Sequence, residues 1–182
     1  MQENVKSKGE YTIYSLDKTI KEDSPVIQQL RDISRGVIKD GQKIIKDLKT
    51  GKIVKRIDYH TNLTPYSGLS VFTGRLAGIT TYTGIINYFA LGSGNTAFST
   101  ASVKLNTEVF RKLISSASSG DNLAYIDLFI DASDVADQTF KEIGAFIDGS
   151  ASVDSGQAFS LAVQDIVKSG SIFISLKITL SQ

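Results

Sequence analysis

Beyond Gly84 the apolar residues of the chain fall into a period of two, the signature of β-strands with one face buried. The clearest case is Ser171–Leu180. Ile172, Ile174, Leu176, Ile178 and Leu180 share one side, and Ser171, Phe173, Ser175, Lys177 and Thr179 take the other. Leu123–Asp131 aligns Ala124, Ile126, Leu128 and Ile130, while Gln157–Gln164 alternates Phe159, Leu161 and Val163 with Ala158, Ser160 and Ala162. Phe140–Ile147 and Ile85–Leu91 are shorter and apolar on both faces, and Glu108–Ser116 fits either helix or strand. Turn-rich pieces at 119–122, 131–138, 148–156 and 168–171 separate these runs. Five or six strands at this spacing, with no helix between them, predict an antiparallel sandwich or barrel.

The first third reads differently. Residues 1–23 are polar apart from a short alternation at Tyr11, Ile13 and Leu16. Ser24 and Pro25 then supply an N-cap and a first-turn proline, and Val26, Ile27, Leu30, Ile33 and Val37 follow at helical spacing, which predicts a helix over about 25–36 ending near Gly36. Lys43–Leu48 and Ile53–Tyr59 flank a Thr-Gly turn and predict a β-hairpin, with lysines guarding its edge. In 65–77, Leu69, Phe72 and Leu76 recur at helical intervals, predicting a short helix closed by Gly78 and weakened by Gly68 and Gly74.

The fold expected is therefore mainly β. It is an antiparallel β-sandwich, jelly-roll or immunoglobulin-like, over residues 43–182, preceded by an arm at 1–42 with its short helix. So little apolar surface hardly offsets an ordering cost of roughly 1–2 kcal/mol per residue. The arm is expected to order only against a partner, with Val26, Ile27, Leu30 and Ile33 as interface anchors.

Composition supports a folded chain of about one domain: 182 residues, 41% hydrophobic and 21% charged. A net charge of +1 gives no case for nucleic acid or acidic membranes. The charge is divided, however. Residues 1–60 hold 13 Lys/Arg against 9 Asp/Glu, and 61–182 hold 7 against 10, so copies could attract one another. With no cysteine, disulfides and thiolate metal sites are excluded. The N-terminus lacks the apolar core of a secretory signal, and no apolar run approaches the roughly 20 residues that span a bilayer, so a soluble protein made in the cytoplasm is expected.

Catalytic and metal chemistry find few candidates. His60 stands alone, whereas a metal site wants several His or Cys at short spacing and a nucleophile needs a base beside it. The segment from Leu91 to Thr96 lacks the Gly-Lys-Ser/Thr end of a phosphate loop and has Ala97 where a dinucleotide fingerprint needs glycine, so Gly92 and Gly94 read as turn residues. The aspartates are numerous but show no calcium-loop spacing and read as turn formers. The basic segment 39–56 lacks interleaved aromatics and reads as a solvated hairpin face. Glu108 and Glu142 sit among apolar neighbours. An ion pair between Glu142 and Arg111, fixing strand register, is expected ahead of a catalytic carboxylate pair. No cofactor, metal or catalytic residue is expected.

Four segments in order resemble a domain of tail-fibre, baseplate and other appendage proteins of tailed bacteriophages: DLKTGKIVKRIDYHTNLTPYSGL (47–69), INYFALGSGNTAFSTASVKLNTEVFR (86–111), FKEIGAFID (140–148) and AFSLAVQDIVKSGSIFISLKITL (158–180). The resemblance implies a virion structural protein without enzymatic activity. Such a protein is made in the host cytoplasm and assembles with copies of itself or with other virion proteins; a host-surface glycan is the alternative partner. Gly92, Gly94, Glu108, Arg111, Glu142, Lys168 and Ser169 are the expected framework residues.

Overall fold

The computed structural model describes residues 6–36, 55–59 and 62–181. Among these residues nine strands and two helices follow in order: β1 (Lys6–Leu16), α1 (Pro25–Ser34), β2 (Lys55–Tyr59), α2 (Tyr66–Leu76), β3 (Ile86–Gly92), β4 (Glu108–Leu113), β5 (Ser116–Gly120), β6 (Leu123–Ile130), β7 (Gln138–Ile147), β8 (Gln157–Lys168) and β9 (Ser171–Ser181). All pairings are antiparallel. One sheet runs β2-β1-β9-β6-β5 and the other β4-β3-β7-β8. Within Glu108–Ser116 the chain is strand to Leu113, then links through Ile114 and Ser115 into β5, and the helix expected over 65–77 is α2.

The two sheets share one apolar core. Ile13, Leu128, Ile172, Ile174 and Leu176 of the first pack with Phe89, Leu91, Phe140, Ile143 and Ile166 of the second. Strand parity then sends the intervening side chains outward, where each sheet carries a second cover. On the five-stranded sheet, Tyr14, Leu16, Phe129 and Phe173 are buried beneath Val26, Ile27, Leu30 and Ile33 of α1. On the four-stranded sheet, Ala90, Phe146, Ala158 and Leu161 lie beneath Leu105 and Phe98 of the β3–β4 connection.

This packing corrects the expected arm. Strand β1 lies inside its sheet, pairing β9 from Lys6↔Ser181 to Leu16↔Ser171 and β2 from Tyr11↔Tyr59 to Ser15↔Lys55. Val26, Ile27, Leu30 and Ile33 are spent on the chain's own sheet and are not free anchors for a partner. The weak apolar count of residues 1–40 misled because strand pairing and a sheet face complete its described part, residues 6–36. Helix α1 itself forms as its sequence dictates: Ser24 Oγ accepts from Val26 N at 3.3 Å, Pro25 opens the first turn, and Gly36 follows the helix at φ +74°. Of the expected hairpin, the first run lies outside the described residues, and β2 from the second run pairs β1.

The alternation read in Gln157–Gln164 is also corrected. Phe159 and Ala162 face the shared core, but Leu161 joins Ala158 on the opposite face. Ala145 pairs Ser160 while Phe146 pairs Ala158, so Phe159 is an extra residue on β8, and a second shift falls between Phe140 and Glu142. Each bulge flips the side-chain parity, which simple alternation cannot register.

Candidate functional site

The charged side chains of the expected framework, Glu108, Arg111, Glu142 and Lys168, are buried. Glu142 is fully buried, and its partners are backbone groups: Thr107 N at 2.7 Å, Asn106 N at 3.0 Å and Gly94 N at 3.2 Å donate to it, with Asn106 Nδ2 at 3.0 Å. Arg111 instead forms a two-pronged pair with Glu108, Nε to Oε1 at 2.7 Å and Nη2 to Oε2 at 2.9 Å. The expected Glu142–Arg111 pair is therefore replaced by two separate devices. Arg111 and Glu108 are near neighbours along the same strand, and the guanidinium is held besides by Ser155 O at 2.7 Å and the Phe146 ring at 4.7 Å. Gly92 and Gly94 also have another reason than a turn. Neither has a positive φ; a Cβ on either would run into the Glu142 carboxylate.

Lys168 is buried, with Nζ donating to Asp137 at 3.1 Å and Ala132 O at 3.2 Å, while Ser169 stands exposed in the two-residue link that carries the chain from one sheet to the other. The aspartates do turn and ion-pair work. Asp121, Asp148 and Asp154 adopt positive φ, Asp131 meets Lys21, and Asp134 meets Lys112. Among the described residues no group of three or more His, Cys, Asp or Glu is gathered as a metal site would be. His60 and nearly all of segment 39–56 lie outside the described residues.

Two buried polar nodes escaped sequence reasoning. Asp127, in mid-strand on the outer face of the five-stranded sheet, accepts from Ser175 Oγ at 2.7 Å, Ser116 Oγ at 2.9 Å and Arg35 Nη2 at 3.1 Å, tying the end of α1 to the sheet. Its signal was an acid inside an otherwise apolar strand. The second node joins Tyr11 Oη to Ser160 Oγ at 2.7 Å, with Asn62 Nδ2 2.5 Å from the same oxygen. Burial pushes the Tyr11 phenol above its usual range, only partly offset by Ser160, so it stays protonated. With no base among its partners, this node binds elements together rather than activating a nucleophile.

What remains open to the outside is apolar. At one end the two sheets part around a cavity of about 530 Å3, floored by core residues such as Ile126, Ile147 and Phe159. Leu69 and Phe72 of α2 flank it, Ile85 stands beside it, and Arg75 and Asp121 both reach its lining. Its size lies within the range of ligand-binding clefts. Helix α2 explains the opening. It turns Gly68 and Val71 inward, where a Cβ on Gly68 would come within 2.8 Å of Ala158 O, so glycine is what lets the helix sit this close to β8. Tyr66, Leu69, Phe72 and Leu76 are left facing solvent, the reverse of the burial that helical spacing suggests for the last three. Leu76 is 79% exposed, and Ile79 and Ile85 extend the patch.

Compared with protein-family models, curated proteins and solved structures, the chain shows no match.

Proposed function

We propose that this chain is a non-enzymatic structural or assembly protein of a tailed-bacteriophage particle, placed at a tail fibre, baseplate or capsid surface and working through protein–protein contacts. The observation that carries the contact part is the uncharged apolar face around α2. From Asn62 to Val103 the sequence holds a single charged residue, Arg75, and Tyr66, Leu69, Phe72, Leu76, Ile79 and Ile85 of that stretch are exposed. Monomeric soluble proteins rarely leave such contiguous patches bare, and charge depletion marks the centres of protein interfaces. The virion part rests on the four ordered motifs between residues 47 and 180. Within this reading the two facing sheets form a β-sandwich of jelly-roll or immunoglobulin-like type, supported by their shared core.

The alternative is a carbohydrate-binding module on a virion appendage, for which Tyr66 and Phe72 are the exposed rings. The exposed Ser70 and Thr73 hydroxyls beside them donate to the helix's own backbone and most of the cavity lining is apolar, which favours protein contact. Mass spectrometry of washed particles with cryo-EM of the same particles tests the main reading: the chain should be a stoichiometric component, with the α2 face covered by protein. Its absence from the particles, or an α2 face left bare in them while glycan arrays give saturable binding, would sink it.

A further inference from the structure

We propose that the α2 face and the cavity beside it form the docking surface for a second copy of this chain, in a two-fold contact. This builds on the preceding reading only in assigning the face to protein contact. Two identical surfaces carry identical charges, so a face rich in one sign repels itself; this one is nearly uncharged, and its exposed side chains are large and apolar. The two charges that do line the cavity have opposite signs and come from different elements: Arg75 from α2, Asp121 from the β5–β6 turn. They form no ion pair with each other, and Arg75 has no ion pair among the described residues. A two-fold axis in the contact plane, lying across the line from Arg75 to Asp121, brings Arg75 of each copy onto Asp121 of the other. The same axis sets Leu69 and Phe72, which flank each cavity, over the mouth of the other copy, with exposed Leu76, next to Arg75 in sequence, at the rim of the contact.

Sedimentation velocity of the full chain over a range of concentrations tests this. The protein should form a dimer that dissociates on dilution, and Leu76→Asp, at an exposed position that leaves the core untouched, should be monomeric and unfold cooperatively at the temperature wild type shows once diluted to monomer. Arg75→Gln and Asp121→Asn should each weaken the dimer by roughly tenfold, and the double variant by no more than either alone, as paired groups require. A wild-type monomer at its highest soluble concentration overturns the proposal. So does a dimer that survives Leu76→Asp, a ring of three or more copies, additive effects of the two neutralisations, or a monomer that carries an acyl chain in native mass spectrometry. The two readings fail separately. A monomeric chain found in particles defeats the docking of a second copy alone, and a dimer built on this face but missing from particles defeats the virion assignment alone.

Discussion

Glu142 occupies the space into which a side chain at Gly92 would project. A Cβ built on Gly92 lies 2.7 Å from Glu142 Cγ and closer still to Glu142 Oε1 and Thr107 O. The glycine and the carboxylate are one device, since the bare backbone lets the acid reach three amide hydrogens across the β3–β4 connection. Gly92→Ala should therefore lower stability by roughly 1–3 kcal/mol through overpacking. Thermal unfolding checks it, and a variant as stable as wild type would show that the acid can move aside.

Arg111→Ala leaves Glu108, whose side chain is 1% exposed, without its cation. Removing one member of a buried pair costs on the order of 3–5 kcal/mol. Arg111→Lys should recover only part of this, because an ammonium cannot reproduce the two-pronged contact or cover the Phe146 ring. Urea unfolding of the two variants should rank wild type, Lys, Ala. Equal midpoints for all three would mean the pair adds nothing.

Deleting residues 1–40 should abolish folding. The cut removes β1 from between β2 and β9 and strips α1 from Phe129 and Phe173. A milder probe is Leu30→Ala, expected to cost about 2–5 kcal/mol for a fully buried leucine. A soluble truncation that unfolds cooperatively would restore the view of this segment as a separable arm.

The Lys21 ammonium, with the Ser133 N–H and hydroxyl, holds the Asp131 carboxyl well below the usual carboxylate range. In the interval between the two values the unfolded chain binds more protons than the folded one, so stability falls as pH drops. The contribution is complete above the ordinary carboxylate range and is lost as pH falls through the depressed value. Chemical denaturation across pH should show wild type more stable than Asp131→Asn near neutrality, with the gap closing in acid. A pH-independent gap would mean that Asp131 acts through shape rather than charge.

Strands β3, β6, β7, β8 and β9 and the two described helices were legible because each rests on local chemistry: period-two alternation in Ser171–Leu180, the Ser24-Pro25 cap, Gly78 at φ +78° after α2. Strand β1 was read as part of an arm, β4 fitted helix or strand, and β5 was not expected. What stayed hidden depends on partners distant in sequence. Phe173 and Ser175 read as a mixed, half-polar face until α1 covers them, and the bulge at Phe159 shows only in its pairing with β7. Glu142 was rightly singled out as a buried acid, but its backbone partners carry no side-chain signature. The exposed face of α2 was hidden as well. Periodicity reports a helix, whereas which side is buried was decided by Gly68, the residue that seemed to weaken it.

The eleven-residue register between β1 and β9 also sets a schedule for folding. During synthesis β1 leaves the ribosome early and has to wait for the strand that will lie beside it until almost all the described residues have emerged. Contacts of such high contact order form slowly, and an unpaired strand edge is exposed to chance neighbours in the meantime. The four-stranded sheet, whose strands are drawn from 86–168, can close sooner and give β9 a surface to settle on. The zipping of β1 onto β9 is then the late step that commits the nascent chain to its final shape.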